Sequence, residues 1–420
     1  MVAATDPHFC QEDMAQARKP SELEVVQSII SADVAGWGRL EAGDVSVENG
    51  AALTEWHTVL FLEAPLSDTG LALASARRKV VATVPSWRGA TLLNKEAASR
   101  YLADRGLAPA VLAELRLPAP ADTNGDEPLP LHVVEFLSGG ILSQADLAEE
   151  AGMAALGALY GELHVGPTEW FTTEVAPALV AEGLLPVGPE ATSWAGLLWV
   201  MPWLQQQVPA ENKARLAAQG VDWAFVEREI VALPTLDLLP TTATVTVHGD
   251  IHEANLVWTS EDKSDRKLKM IDFDMTAIGP AGSDLGFLAL ALFRCAFSLD
   301  PNLVVPRELQ RHFAKAYLQA QGTIEPDEPT CDDLLLLAHL WSYTAMIKIG
   351  LICGVLMARP GHEAKREIMR TRGPVLLNPN FLSACKVAMK EAKDSDGPVR
   401  QSVLQRGLFF HVTEGAAGSW

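Results

Sequence analysis

Two stretches of the sequence concentrate the side chains that could do chemistry, Val245–Trp258 and Lys269–Gly286. Each opens with an apolar run typical of a short strand and then presents polar side chains where that strand would end. These side chains are Asp250, His252 and Asn255 in the first stretch, and Asp272, Asp274 and Asp284 in the second. A charged turn over 260–267 separates the two stretches, so together they predict a β-hairpin.

The clustering of carboxylate and amide oxygens at strand ends is the chemical signal. Mg²⁺ prefers such oxygens, together with substrate phosphates, to a cage made of protein alone. Any one of these Asp or Asn residues would otherwise be explained as a turn residue that bonds its own backbone, and His252 alone as an ordinary loop histidine. The turn explanation does not account for so many of them at the ends of two apolar strands. The pattern therefore favours a site for a metal ion and phosphates.

The motif HGD-x-H-x-x-N, followed by the apolar run IDFD, resembles the catalytic and metal loops of the aminoglycoside phosphotransferase/choline kinase family of small-molecule kinases. The turn GP-x-G-x-D-x-G is most similar to that of methylthioribose kinases, although these usually carry Ser at the position of Asn255. The resemblance implies a two-lobed, protein-kinase-like α+β fold with a small β-sheet lobe and a larger, mainly helical lobe. It also implies roles for individual residues: Asp250 as the catalytic base, Asn255 and Asp272 as Mg²⁺ ligands, Asp274 as a ligand of a second metal ion, and His248, His252 and Asp284 as supports of the catalytic loop.

The implied reaction is transfer of a phosphoryl group from ATP to a hydroxyl group of a small molecule. Such a site needs an acceptor for the hydroxyl proton and oxygen ligands for Mg²⁺, because catalysis consists of positioning the groups and neutralising phosphate charge. The acceptor is left open between a methylthioribose-like sugar, an amino alcohol such as choline, and an aminoglycoside-like compound, since a fold does not fix its substrate. The choice between ATP and GTP is also open.

The same resemblance assigns nucleotide binding to the first part of the chain. Asn49 and Gly50 fall in the loop that would cover the ATP phosphates, and the backbone of Glu135–Leu137 would hold the adenine. The family places Lys or Arg where Thr83 aligns, and a helix carboxylate that would pair with this cation where Glu96 aligns. The candidate replacements for the missing cation are Lys79, Arg88 and Lys95.

Because Thr83 stands where the family has a cation, a second class of function is a catalytically impaired pseudokinase that binds nucleotide or a partner. A protein free of catalytic selection has no need, however, to keep Asp250, Asn255 and Asp272 together. A third class is a metallohydrolase, because GDIHEAN superficially resembles a metallophosphoesterase motif. Such sites need an upstream Asp-x-His on a strand, and the only one is Asp6-Pro7-His8, in a polar segment without a strand pattern.

The predicted elements fall into three segments. Residues 1–20 have the composition of a flexible tail, residues 21–138 would form the N-lobe, and residues 139–420 would form the C-lobe with the catalytic hairpin over 245–275. Periodicity in the N-lobe predicts helices at Ser21–Ala32 and Thr91–Gly106, and strands at Asp44–Val47, Thr58–Leu62, Lys79–Val84, Leu107–Leu117 and Leu131–Phe136. In the C-lobe it predicts helices at Asp146–His164 and Leu334–Met357. The second is expected to be a buried core helix, because His339 and Lys348 interrupt its apolar run.

The composition narrows the range of functions. A chain of 420 residues with 48% apolar and 20% charged residues is typical of a globular protein of two lobes. The net charge of -20 argues against nucleic-acid binding, which needs clustered Lys and Arg. Five scattered cysteines without a CxxC pair, and an N-terminus without an apolar signal core, predict a cytoplasmic protein with reduced thiols and no membrane association. Both a monomer and a homodimer are compatible with the sequence.

Overall fold

The computed structural model describes residues 20–49, 57–65, 77–85, 89–117, 128–293, 304–357 and 363–415. The predicted tail up to residue 19, which contains Asp6-Pro7-His8, lies outside these ranges, as do Gly50 and Arg88. The chain divides into two compact units, Met1–Ser138 and Gly139–Trp420, which we call the N-lobe and the C-lobe.

A five-stranded antiparallel sheet forms the body of the N-lobe. Its strands are β1 (Ser46–Asn49), β2 (His57–Pro65), β3 (Arg77–Pro85), β4 (Val111–Leu117) and β5 (Leu129–Glu135), in the spatial order β1-β2-β3-β5-β4. The two helices of the lobe are α1 (Glu22–Ser31) and α2 (Gly89–Asp104). Strand β4 begins later than the predicted Leu107, because the amides of Leu107 and Ala108 turn back to the carbonyl of Leu102 at the end of α2.

One face of this sheet carries the apolar core of the N-lobe. Alternate residues of the central strands are buried on this face, among them Val80 and Ala82 of β3 and Val133 of β5. They pack with Val25 and Ile29 of α1. The start of α1 is fixed by a capping box, in which the Ser21 side chain accepts from the Glu24 amide and the Glu24 carboxylate accepts from the Ser21 amide.

The opposite face of the sheet carries helix α2. Thr83 of β3 lies directly opposite His132 of β5, and His132 lies opposite Glu114 of β4, so these three side chains share one face. Two ion pairs tie α2 to the same face, Arg100 to Glu114 at 2.8 Å and Glu96 to Arg116 at 3.1 Å. Helix α2 therefore covers the face on which Thr83 lies.

The C-lobe is mainly helical. Its α-helices are α3 (Gln144–Leu147), α4 (Glu150–His164), α5 (Ala176–Ala181), α6 (Pro189–Ser193), α7 (Ala195–Leu198), α8 (Val200–Gln207), α9 (Ala210–Ala218), α10 (Trp223–Ala232), α11 (Ala281–Leu288), α12 (Arg307–Ala320), α13 (Glu328–Leu356), α14 (Glu363–Leu376), α15 (Pro379–Asp394) and α16 (Pro398–Gly415). The single helix predicted over Asp146–His164 is two helices, because a capping box between Ser143 and Asp146 starts the short α3 before α4 begins.

Helix α13 runs through the core of the C-lobe. It begins at Glu328, before the predicted Leu334, because the Asp327 side chain accepts from the amide of Thr330 and caps the helix there. Its length and composition would allow it to cross a membrane, but 89% of its most apolar window is buried inside the protein. The prediction of a buried core helix is confirmed.

Four short strands of the C-lobe carry the polar stretches: β6 (Thr244–Val247), β7 (Leu256–Trp258), β8 (Leu268–Met270) and β9 (Ala277–Pro280). Along the chain, β7 and β8 are the inner pair and β6 and β9 the outer pair. Strand β7 pairs with β8, and β6 pairs with β9. The prediction that the Val245 strand pairs with the Lys269 strand is wrong, because the chain turns at Gly249 and starts a new strand at Leu256. Two loops connect the outer pair to the inner pair, and we call them the catalytic loop (residues 248–255) and the acidic loop (residues 271–276).

Candidate active site

The catalytic loop begins at a glycine that the geometry requires. Gly249 has φ +81°, a left-handed conformation that other residues rarely adopt. A Cβ atom at this position would also collide with the carbonyl of Met275 in the acidic loop. The break that the sequence shows at Gly249 therefore brings the two loops into close contact.

Asp284 holds the backbone of the catalytic loop. Its side chain is only 1% exposed, and its two oxygens accept the amides of His248 at 2.7 Å and Gly249 at 3.0 Å. The ring of His164 lies 3.4 Å from the same carboxylate. Asp284 lies in the first turn of α11, which begins at Ala281 with Pro280 as the capping residue, so its side chain does not cap its own helix. The carboxylate instead satisfies the amides of a neighbouring loop.

The environment of Asp284 favours its ionised form. Burial alone would raise the pKa of its carboxyl group. The hydrogen bond and charge of His164 and the hydrogen bond of the Gly249 amide act in the opposite direction and lower the pKa below its ordinary value. Asp284 is therefore a buried anion that depends on its hydrogen-bond donors.

Asp250 and Asn255 lie together within the catalytic loop. The Nδ2 atom of Asn255 donates to the backbone carbonyl of Asp250 at 2.9 Å and approaches its Oδ2 at 3.4 Å. The Nε2 atom of His252 lies 3.7 Å from the same Oδ2. A short 3₁₀ turn, Glu253–Asn255, returns the chain to place Asn255 beside Asp250. An amide and an imidazole thus approach the same oxygen of the Asp250 carboxylate.

The charges around Asp250 keep its carboxylate ionised. Burial would raise the pKa of Asp250, but His252, through its charge and hydrogen bond, and the charge of Lys348 together lower it below its usual value. Burial would lower the pKa of His252. The nearby carboxylates of Asp250 and Asp272 have the larger effect and raise the pKa of its imidazole. Asp250 is therefore an ionised acceptor at neutral pH, which is the state a base needs.

His248 links the catalytic loop to the acidic loop. Its Nε2 atom lies 3.0 Å from the Ile271 carbonyl, while its Nδ1 atom accepts the amide of Asp250 at 3.2 Å. A carbonyl oxygen only accepts, so Nε2 carries the proton. The Ile271 amide in turn donates to the Asn255 carbonyl at 3.0 Å, and the Thr276 hydroxyl donates to the His248 carbonyl at 3.2 Å. These bonds bring the side chains of both sequence stretches to one place.

Asn255, Asp272 and Asp274 supply oxygen ligands of the kind that Mg²⁺ takes. The Nδ2 atom of Asn255 is committed to Asp250, which leaves Oδ1 for a metal ion. Asp272 is exposed and has φ +66°, a strained conformation of the kind that clusters at functional sites. In the ranges that the structure describes, no three His, Cys, Asp or Glu side chains form a metal cluster by themselves. The donor set fits an Mg²⁺ ion that completes its coordination with phosphates and water.

Sequence reasoning did not single out Lys348 of α13 as a site residue. It is 3% exposed, and its Nζ atom donates to the carbonyl of Gly249. The signal that could have found it is its position as a cation within an otherwise apolar helix, since a buried charge needs a partner.

The residues predicted for the nucleotide lie in the N-lobe. Lys79 pairs with Glu63 at 3.3 Å and lies 5.3 Å from the ring centre of Phe136. Glu96, expected to pair with a cation of β3, pairs with Arg116 of β4, because Thr83 offers no charge and Arg116 shares the face that α2 covers. The remaining predicted residues lie at the ends of strands. Asn49 is the last residue of β1, and Leu137 follows β5. Glu135 is the last residue of β5, and its amide donates to the Ala110 carbonyl at 2.9 Å.

Comparisons with known proteins show the family and the fold of the chain. The model of the phosphotransferase enzyme family matches residues 68–334. The structure is similar to a choline kinase from Cryptosporidium parvum Iowa II (TM-score 0.57, 15% identity, covering 90% of this chain and 98% of that chain). It is similar to the same degree to a Plasmodium vivax ethanolamine kinase (TM-score 0.57, 15% identity, covering 89% and 98%). A search of curated protein sequences finds no match.

The family match settles the broad predictions. The kinase-like two-lobed fold, the resemblance to the aminoglycoside phosphotransferase and choline kinase group, and the enzyme class are confirmed. The match spans β3 to the start of α13, and so includes both the catalytic and the acidic loop. The chain therefore belongs to the phosphotransferase enzyme family.

Proposed function

We propose that this protein transfers the γ-phosphoryl group of ATP to a hydroxyl group of a small molecule in a Mg²⁺-dependent reaction. The observation that carries this proposal is the arrangement around Asp250. The carboxylate is ionised, Asn255 and His252 flank it, and Asp284 fixes the backbone of its loop. Phosphoryl transfer needs this combination, because one acceptor must meet the hydroxyl while nearby oxygens hold the metal ion.

In this proposal Asp250 accepts the hydrogen bond of the substrate hydroxyl and takes its proton as the phosphoryl group is transferred. Asn255 and Asp272 would hold Mg²⁺, and Asp274 would contribute to a second metal position. The metal, when bound, neutralises charge on the phosphate oxygens. His248 and Asp284 fix the loops, so that the carboxylate of Asp250 keeps its direction during the reaction.

We expect the phosphate acceptor to belong to one of the compound classes that the family resemblance implies. Amino alcohols are the class acted on by the choline and ethanolamine kinases that share the fold, and a methylthioribose-like sugar is favoured by the GP-x-G-x-D-x-G turn. These two classes and an aminoglycoside form the acceptor panel. We further propose a cytoplasmic location, because the described cysteines Cys331, Cys353 and Cys385 are free and buried.

A pseudokinase is the second candidate, and Thr83 is the observation that favours it. The two candidates differ in acceptor-dependent ADP release. A kinase releases ADP faster when the right hydroxyl compound is added, whereas a pseudokinase binds ATP and shows no such stimulation.

The first prediction concerns Mg²⁺-dependent nucleotide binding. ATP with Mg²⁺ at about ten to a hundred times its Kd should raise the melting temperature by about 2–3 °C, because a ligand that binds only the folded state stabilises it. Asp272→Ala should abolish the Mg²⁺-dependent part of this rise. The measurement is a thermal shift with ATP, with and without Mg²⁺.

Asp265→Ala is the matched control, since Asp265 is another exposed carboxylate between β7 and β8. It should keep the full shift. If Asp272→Ala keeps the shift as well, the acidic loop does not hold the metal.

The second prediction concerns the cation that replaces the missing strand lysine. We propose that Lys95 has this role, since it is 6% exposed on α2, the helix that covers the face of Thr83. Burial, with the charges of Lys95 and Arg100, lowers the pKa of His132 to about 4, and His132 is the direct neighbour of Thr83. Lys95→Ala should raise the Kd for ATP about tenfold or more, the effect of losing one charged hydrogen bond.

Lys79→Ala is the comparison, because Lys79 is half-exposed and pairs with Glu63. It should change the Kd for ATP less than about twofold, as expected for an exposed ion pair. Isothermal titration calorimetry measures both variants. A larger effect for Lys79→Ala than for Lys95→Ala would assign the role to β3 instead.

A further inference from the structure

Lys348 is a charged side chain in the most buried part of the C-lobe. It lies in α13, far from the catalytic loop in sequence, and its neighbours in the helix are buried apolar residues. Its Nζ atom donates to the carbonyl of Gly249 and lies 5.8 Å from the ring centre of Phe287. Taking an ammonium group out of water is costly, so such a residue needs compensating partners.

Two carboxylates of the site act on the charge of Lys348, whose hydrogen bond goes to the Gly249 carbonyl. The titratable groups that face its ammonium are Asp250, in the catalytic loop, and Asp284, in α11. Burial lowers the pKa of Lys348 to about 8, and these two carboxylates act against that shift. Lys348 and Asp284 also line one small cavity, together with Gly249, Ser283 and Thr344. The buried cation of Lys348 is thus stabilised by the charges of two carboxylates.

The hydrogen bonds of Lys348 and His248 hold the two ends of a single peptide unit. Lys348 bonds the carbonyl of Gly249, and the Nδ1 atom of His248 accepts the amide of Asp250. This peptide unit immediately precedes the Cα atom of Asp250, so its plane determines where the Asp250 side chain starts. The preceding amides, of His248 and Gly249, are held by Asp284. The backbone leading to Asp250 is therefore fixed at every polar group.

We infer that Lys348 is a positioning residue for phosphoryl transfer, which fixes the peptide unit before Asp250 and stabilises the charge of its carboxylate. The inference rests on the proposed function, in which Asp250 accepts the hydroxyl proton. A carboxylate that is displaced by about 1 Å loses about two orders of magnitude in rate. The residue acts through Asp250 and does not touch the substrate.

The test compares Lys348→Met with Lys386→Met after wild-type turnover has been established on the acceptor panel. Lys386 is a matched control, because it also pairs with a buried carboxylate, Glu229 at 2.6 Å, and lies over a ring, that of Tyr343. Lys348→Met should lower kcat about 10- to 100-fold while the KM for ATP changes less than about twofold. Lys386→Met should leave kcat within about twofold, because Glu229 has no part in the reaction.

The pH profile separates positioning from a merely structural effect. Wild-type kcat should fall as Lys348 loses its proton above pH about 8, and this alkaline limb should be absent in Lys348→Met. If Lys348→Met does not fold, the wild-type profile decides, since a kcat that stays flat through pH 9.5 overturns the inference. Equal kcat values for Lys348→Met and wild type would also overturn it. Absence of wild-type turnover with every acceptor would instead overturn the proposed function, and this inference with it.

Discussion

Asp250→Asn is expected to lower kcat about 10²–10⁴-fold, the contribution of a general base. The substitution keeps the shape of the side chain and leaves the bond from Asn255 to the Asp250 carbonyl intact. It removes the negative charge that His252 and Lys348 stabilise and the ability to take a proton. The loss should therefore appear in kcat, with little change in the KM for ATP. Acceptor-dependent ADP release measures it.

Two further measurements make this result specific. The Mg²⁺-dependent thermal shift with ATP should persist in Asp250→Asn, because the proposed metal ligands are unchanged. Asp265→Asn, in the exposed turn between β7 and β8, should keep the wild-type kcat. Turnover by Asp250→Asn within about threefold of wild type would show that another group takes the proton.

Asp284→Ala is expected to lower the free energy of unfolding by about 3–5 kcal/mol, the usual effect of breaking a buried charged network. Its carboxylate is 1% exposed and accepts two backbone amides, those of His248 and Gly249. Removing it leaves both amides and the ring of His164 without their acceptor. Chemical denaturation followed by tryptophan fluorescence measures the change.

The Asn substitution tests whether charge or shape matters at Asp284. Both carboxylate oxygens accept amide protons, so the NH₂ group of Asn would face an N–H donor whichever way it turned. Asp284→Asn should therefore be destabilised nearly as much as Asp284→Ala. Asp333→Ala removes an exposed carboxylate that pairs with Arg400, and should change stability by less than about 1 kcal/mol. Full stability of Asp284→Asn would show that the network does not need the anion.

The same network gives the stability of the protein a pH dependence. The pKa of Asp284 is lowered in the folded state from an ordinary value of 3.8, so the unfolded chain binds its proton first. The stabilisation is complete above pH 3.8 and is lost as the pH falls from there through the lowered pKa. In Asp284→Ala the decline of stability below pH 3.8 should be shallower than in the wild type.

The local signals of the sequence predicted most elements and the polar cluster of the C-lobe. The left-handed turn at Gly249 that starts the catalytic loop is a local signal, which a sequence shows directly. The pairing of β6 with β9 was not predictable from periodicity, because each short strand could pair with either neighbour until the fold selects the register. Lys348 was missed for a related reason, since its partner Gly249 is distant in sequence.

In the N-lobe, the family pattern predicts the wrong partner for Glu96. Glu96 occupies the expected helix position, yet it pairs with Arg116, because an ion pair forms with whichever cation shares its face. The pattern carried no information about β4, whose side chains alternate between the two faces. Only the register of β4 and β5 reveals that Arg116 points to the side of α2.

The nesting of β7–β8 inside β6–β9 restricts how this segment can change length. Each of the two loops has a paired strand at both of its ends. An added residue in either loop would therefore shift the register of β7 with β8 and turn Leu256 or Met270 out of the core. Within this segment, the turn over 259–267 has an exposed tip at residues 261–265. Insertions, tags or fused domains can therefore enter there, whereas the spacing within HGDIHEAN and IDFDMT is fixed by the architecture.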